Sequence, residues 1–257
     1  MTAPSTASLV ILTGASRGLG QAMAAQYLAG GAFVLGLSRR ESAELRASGA
    51  GGLEQWPADL ADPLPVAARL GEWLAGFERR AGGRPPARVR LIHNAAMLRE
   101  PGDVADSAPD DLARSLRIGL EAPVALTATF LRATAHWAAA DRRVLFVSSG
   151  LGRRAMAGSA AYCAQKAGLD HFARALALEE GARSHGARVA SVAPGIIDTD
   201  MQKQLRGADA QRFPEQATFA GFHSSGALDS PAAAAAKVIA LLERADYGAN
   251  PVTDVRA

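Results

Sequence analysis

Leu9-Val10-Ile11-Leu12-Thr13-Gly14-Ala15-Ser16-Arg17-Gly18-Leu19-Gly20 is the stretch from which the rest of the chain is read. Its four apolar residues make a strand-length run with polar residues on either side, the pattern of a strand buried on both faces of a parallel sheet. Three glycines follow, and the alanine-rich segment after them predicts a helix over Gly18–Gly30. A glycine-rich turn between strand and helix lets backbone approach a pyrophosphate closely. The N–H groups at the helix start then face its charge. The spacing T-G-x-x-x-G-x-G differs from the dinucleotide pattern G-x-G-x-x-G. A glycine turn alone also serves plain tight bends, and it is the position after the first strand that gives this one meaning.

The alternation continues outward. Further short β-branched runs stand at Phe33–Leu37, Val89–Ile92, Val144–Val147 and Val189–Val192, with weaker strands near Leu53–Trp56 and Pro251–Val255. Helical stretches fall between them at Pro65–Arg80, Asp110–Ala139 and Ser159–His185, and Ser230–Pro231 opens another over Ala232–Arg244. Strands alternating with helices predict an α/β fold of Rossmann type, a doubly wound, mostly parallel sheet of about seven strands with helices on both faces. Residues 1–257 read as one domain, with Gly82–Pro86 a turn and not a linker. Thr199–Leu228 is polar and broken by glycine and proline, and reads as a long substrate loop.

Composition bounds the partners. Hydrophobic residues are 49% of the chain and charged residues 21%, and the formal charge is only +3. The basic residues are scattered, which argues against nucleic acid as a partner. One cysteine, Cys163, excludes an internal disulfide, and the five histidines lack metal-ligand spacing, so no metal is expected. Met1–Ser8 has neither the basic start nor the long apolar run of a signal peptide, and no window has the apolar length of a membrane span. The expected setting is cytoplasmic, with no membrane partner.

Two constellations carry chemistry. The second strand runs into Ser38-Arg39-Arg40, where a carboxylate would bind a ribose 2′-hydroxyl and repel a 2′-phosphate. Two arginines offer planar donors to a phosphate instead, and Arg17 can join them, so NADP(H) is expected over NAD. The bland reading is a solvated surface pair. The second constellation is Tyr162-Cys163-Ala164-Gln165-Lys166, which puts a phenol and an ammonium on one helical face. Lysine beside tyrosine is expected to lower the phenol's pKa and fit it for proton transfer to a carbonyl oxygen. Ser149, just past the strand Val144–Val147, can hydrogen-bond the same oxygen. Alone, Y-x-x-x-K is a common accident on helices.

Taken together these motifs resemble the short-chain dehydrogenase/reductase family over nearly the whole chain. The family's glycine motif matches Thr13 to Gly20, taking in Gly14, Ser16, Arg17, Gly18, Leu19 and Gly20. Asp59-Leu60 matches the position where an aspartate meets the cofactor's adenine. His93-Asn94-Ala95-Ala96 is similar to its N-[NAG]-A-G motif, with alanine for the last glycine. The family's serine precedes its tyrosine by thirteen residues, which selects Ser149 over Ser148. The resemblance implies that Ser149, Tyr162 and Lys166 are catalytic and that Tyr162 and Lys166 also touch the cofactor. It further implies that Pro194, Gly195, Ile197 and Thr199 hold the nicotinamide side. One departure stands out. Gly119 aligns with the family's helical asparagine, which helps hold a water in the lysine's proton relay, and a helix kink that admits water is expected there.

Asp198-Thr199-Asp200-Met201-Gln202 and the closing Thr253-Asp254-Val255-Arg256 look like the sepiapterin and benzil reductase subgroup, which implies a substrate with adjacent carbonyls. Asp198 and Asp200 can equally cap the following helix. Met156, Met201, Phe213, Phe219 and Phe222 read either as an apolar pocket or as lid packing. The function implied is an NADP(H)-dependent oxidoreductase of a small ketone or 1,2-dicarbonyl. The alternatives are a non-catalytic NADP(H)-binding regulator, or an enzyme of the same family acting on an acyl thioester, sugar or steroid. In the family, the helices corresponding to 110–139 and 159–185 form a dimer interface, which implies a homodimer or homotetramer.

Overall fold

Alternation along β1 (Ser8–Thr13) decides how the layers form. Leu9 and Ile11 face one side of the sheet and Val10 and Leu12 the other, all fully buried. In the computed structural model, which describes residues 7–47, 52–81 and 83–256, β1 is central. Around it lie β2 (Phe33–Ser38), β3 (Leu53–Pro57), β4 (Arg88–His93), β5 (Asp141–Val147), β6 (Arg188–Ala193) and β7 (Val252–Asp254). The order is β3-β2-β1-β4-β5-β6-β7, and every pairing is parallel. This is the expected doubly wound sheet, parallel throughout. Residues 1–6 and Gly82 lie outside the described residues, and with them the expectation about the N-terminus and the start of the turn at 82–86.

Helices cover both faces. On one side α3 (Pro63–Arg80), α5 (Ala122–Ala133) and α6 (Ala160–Gly181) lay Leu70, Leu74, Leu126, Phe130 and Leu169 against Leu9, Ile11 and Leu91. On the other, α1 (Gly18–Ala29) and α9 (Pro231–Glu243) lay Met23, Leu28, Val238 and Leu242 against Val10, Leu12 and Ile92. Each such side chain contributes roughly 1.5–3 kcal/mol on burial. Ser230 caps α9, its hydroxyl accepting from Ala233 N–H at 3.2 Å. The short α2 (Ala43–Ala47) completes the β2–β3 crossover. No helix among the described residues is long and apolar enough to cross a membrane.

Three sequence expectations need correction. The stretch 110–139 is not one helix: α4 (Pro109–Leu116) runs into a π-turn over Arg117–Glu121 before α5 begins, and helix ends at Ala133. The kink expected at Gly119 is this π-turn, closed by Ala122 N–H to Arg117 C=O. The helix 159–185 is four residues shorter at its end, because α6 stops at Gly181. The loop 199–228 contains two helices, α7 (Asp200–Arg206) and α8 (Gln216–Ser224). They close over a small core of their own in which Met156, Leu205 and Phe213 are buried. Short polar helices of this kind carry little periodicity to read.

At the N-terminal edge of the strands, Arg90, Arg143 and Arg188 stand side by side on β4, β5 and β6. Three like charges in a row repel. Asp141 receives Arg90 Nη2 at 3.0 Å, Arg143 Nε at 3.0 Å and Arg188 Nη2 at 2.6 Å, while Glu243 of α9 receives Arg90 Nη2 at 2.6 Å. The opposite edge, where all strands end, opens a crevice. There the connections from β1 and β4 leave in opposite directions, the place where such sheets bind ligands.

Candidate active site

The glycine turn after β1 is built to let backbone come close. Gly14 has φ +71° and Gly18 φ +55°, conformations that disfavour any side chain. A methyl at Gly20 would overlap the Gly14 carbonyl oxygen, and one at Gly14 would sit 2.9 Å from Asn94 Nδ2. Asn94 stitches the turn to the end of β4, donating from Nδ2 to the Thr13 and Gly14 carbonyls at 3.2 and 3.1 Å. Thr13 Oγ1 in turn accepts from the N–H groups of Asn94 and Ala95 at 3.0 and 3.1 Å. The N-terminus of α1 is left facing the crevice without an acidic residue in its first turn. These features fit a dinucleotide whose pyrophosphate lies at that helix start.

Arg39 and Arg40 are exposed beyond β2, and the Arg39 charge helps hold the Asp59 carboxyl below its usual range. The larger cause there is the Ala61 N–H donating to Asp59, together with Arg114, whose Nη2 lies 2.7 Å away. Arg17 does not join the arginine pair. Its Nη1 meets Asp200 Oδ2 of α7 at 2.8 Å, so the glycine turn and the lid helix are bridged across an exposed ion pair. Leu19 and Leu60 turn their side chains into the cores, leaving only backbone to a ligand. Pro194-Gly195 follows β6 with Gly195 at φ +83°. Ile197 forms a bridge with Asp229, and Thr199, at the start of α7, lies across from Gly18.

Ser149, Tyr162 and Lys166 come together at the end of β5. Ser149 caps a single 3-10 turn over Gly150–Gly152, and its hydroxyl lies near enough to the Tyr162 phenol to favour the phenolate. Tyr162 and Lys166 are buried on one face of α6, with Nζ 5.5 Å from the phenol ring centre. The expected lowering of the phenol's pKa is not seen. Burial pushes it up to about 12, and the nearby Ser149 hydroxyl only partly opposes this. The Lys166 ammonium donates to the Val147 carbonyl at 2.7 Å. Burial draws Lys166 down to about 8, against the pull of Asp170 one turn on. Asp170 is fixed by the hydroxyls of Ser148 and Ser191 at 2.6 and 2.7 Å and by Arg153. Its spacing from Lys166 made it legible, and the sequence reading passed over it.

Around this centre the other candidates divide. Phe213 and Met156 are buried as lid packing, while Met201 and Phe219 are only partly buried against them. Phe219 links Phe213 to Phe222 by ring contacts at 5.6 and 5.8 Å. Cys163 packs against the same group. His93 is buried, with Nε2 2.8 Å from Thr127 Oγ1 and its ring stacked on Phe146 at 5.0 Å. Burial pulls its pKa down to about 3. Among the described residues no group of three or more His, Cys, Asp or Glu gathers to hold a metal.

A parallel sheet with a glycine turn at its switch point and a Ser–Tyr–Lys cluster at the end of β5 defines a dinucleotide-dependent oxidoreductase. The chain belongs to the short-chain dehydrogenase family, whose sequence model matches residues 8–210. It is 31% identical to a benzil reductase ((S)-benzoin forming) of Bacillus cereus over 245 residues, covering 93% of this chain and 95% of that one. It is 33% identical to the sepiapterin reductase of Mus musculus over 263 residues, 96% of each. Among solved structures, a Beutenbergia cavernae protein described as an NAD(P)-dependent gluconate 5-dehydrogenase and carrying bound NADP is 27% identical. It superposes with a TM-score of 0.78, covering 98% of this chain and 97% of that one.

Proposed function

We propose that this chain is an NADP(H)-dependent reductase of small ketones, with 1,2-dicarbonyl compounds as its substrate class. The observation that carries the reading is the meeting of the Ser149 hydroxyl, the Tyr162 phenol and the Lys166 ammonium beside the glycine turn. Benzil and sepiapterin reductases among its relatives support the substrate class. The exposed Arg39–Arg40 pair, with no carboxylate at the end of β2, supports NADP(H) over NAD(H). The Gly14–Gly20 turn would hold the cofactor's pyrophosphate, Asp59 its adenine and Pro194–Thr199 its nicotinamide, and the cofactor would supply hydride. A single catalytic domain assembled as a homodimer or homotetramer in the cytoplasm completes the reading.

Each protein group then has a defined task. A phenol held up near 12 keeps its proton at neutral pH, which suits donation to a carbonyl oxygen as negative charge develops there. Ser149 shares its hydroxyl with the same oxygen, stabilising that charge from a fixed position. Lys166, still largely protonated near neutral pH, presents a positive charge beside the phenolate left behind. The helices α7 and α8 set the apolar side chains of Met201 and Phe219 against the small core around Phe213.

The test is NADPH oxidation with NADH in parallel, against benzil, sepiapterin, a simple aldehyde and an acetoacetyl thioester. Turnover of a dicarbonyl with NADPH, lost by at least about a hundredfold in Tyr162→Phe, is the expected result. A preference for the thioester would move the substrate class. NADPH binding with no turnover on any compound would replace the enzyme by a non-catalytic binding protein.

A further inference from the structure

Position 119 carries no side chain, yet the space beside it is filled. A methyl built on Gly119 would overlap the Gln165 carboxamide, with its oxygen and carbonyl carbon inside contact distance and Cβ at 3.1 Å. Gln165 is fully buried on α6, next to Lys166 and three residues after Tyr162. Its Nε2 donates to Ser115 Oγ at 2.7 Å and to the Met97 carbonyl at 3.3 Å. A backbone carbonyl only accepts, so this contact fixes which end of the amide is nitrogen. Oε1 therefore faces the π-turn at Arg117–Glu121, and among the described residues it has no hydrogen-bond partner.

These facts belong together. A buried carboxamide oxygen without a donor is costly to retain, and an apolar residue of similar length would fill the same space without that cost. π-Turns widen a helix locally, displace its regular carbonyl bonding and recur at functional sites. Here the widened turn, the free acceptor and the missing side chain at 119 coincide beside Tyr162 and Lys166.

We infer that Gln165 is a positioning residue for the reaction, reaching from α6 into the space of an absent side chain at 119 so that its Oε1 orders a water at the π-turn. The inference rests on the reductase reading. Tyr162 gives a proton to the substrate oxygen, Lys166 returns one to the phenolate, and the water at Gln165 recharges Lys166 from bulk solvent. Ser115 and Met97 keep the amide from turning away. Gly119 and Gln165 are then a matched pair, and neither is exchangeable without the other.

The experiment compares the unsubstituted chain with Gln165→Met, Gln165→Ala, Gly119→Asn and Gly119→Asn/Gln165→Ala. Steady-state kinetics use benzil and NADPH in light and heavy water. Gln165→Met, which keeps length and loses the acceptor, is expected to lower kcat between about tenfold and a hundredfold. Both KM values should stay within about twofold, and the solvent isotope effect should rise, because proton return has become limiting. Gly119→Asn alone should do worse, since its side chain overlaps Gln165. The double variant should exceed both Gly119→Asn and Gln165→Ala in kcat. NADPH binding and thermal unfolding check that each variant is folded, and if the double variant is not, Gln165→Met decides alone. Unchanged kcat and isotope effect in Gln165→Met would show that Gln165 only fills space, and so would a folded double variant no better than Gln165→Ala. Absence of turnover by the unsubstituted chain on every dicarbonyl would remove the functional reading and this one with it. Turnover there with an unaltered Gln165→Met removes this one alone.

Discussion

Lys166 sits where burial and charge pull against each other. Buried, it titrates at about 8 instead of its ordinary 10.5, with Asp170 opposing the fall. Between those values the unfolded chain binds the proton that the folded chain has released. The Lys166 contribution therefore favours folding more as pH rises from about 8 to 10.5, and its burial is most costly below 8. Activity should run the other way: kcat for reduction is expected to fall above about pH 8 as the ammonium is lost. A pH–rate profile with no limb between 7 and 9 would contradict this. His93 acts in the same sense at lower pH, since it is buried neutral and drawn to about 3. The unfolded imidazole takes up a proton from about 6.5 downward, so stability should drop between pH 6.5 and 3. His93→Gln should remove much of that slope in urea titrations. The identities of Tyr162, Lys166 and Ser149 were legible from spacing. Their proton affinities were not, because these depend on burial and on where Nζ points, toward the Val147 carbonyl and not the phenol.

Secondary-structure elements impose a second set of tests. The turn between β1 and α1 tolerates no Cβ at Gly20, where a methyl would overlap the Gly14 carbonyl oxygen. Gly20→Ala is expected to abolish NADPH binding while fluorescence still reports a folded chain, and retained affinity would contradict the close approach. At α9, removing the Ser230 hydroxyl should cost about 1 kcal/mol of stability with activity unchanged. Chemical denaturation of Ser230→Ala measures this, and no shift would mean that Pro231 alone sets the helix start. Strand positions and the helix start at Ser230–Pro231 were readable because period, cap and proline agree. The π-turn was not placed as such. Glycine at 119 signals a weak point, but what fills the space beside it is Gln165 of α6, more than forty residues on in sequence. The helices α7 and α8 were missed for a related reason, since Phe213 and Phe219 bury themselves only when the lid folds over Met156.

Across the whole molecule, the row Arg90–Arg143–Arg188 shows how one end of the sheet is held while the other does chemistry. Arg90 is 1% exposed. Removing its Glu243 partner leaves a buried guanidinium short of charge, so Glu243→Ala should destabilise by about 3 kcal/mol. Because the row lies at the strand edge away from Tyr162, kcat should stay unchanged, and a parallel fall in kcat would reveal coupling between the two edges. Burial raises the Asp141 carboxyl, but its donors Arg143 and Arg188 and the Arg90 charge outweigh this and hold it at about 2. Its stabilising contribution is whole above about pH 4 and is lost as pH falls through 2. Nothing in the sequence announced the row, since three arginines tens of residues apart align only through strand register. The same strand order has a consequence for how the chain is made. β1 takes β2 on one side early, but its other neighbour is β4, about 75 residues further along. At about 5–20 residues per second, a ribosome leaves that edge of β1 without its neighbour for several seconds. The nascent chain must keep a strand with four apolar residues in a row from pairing with anything else until residue 88 arrives.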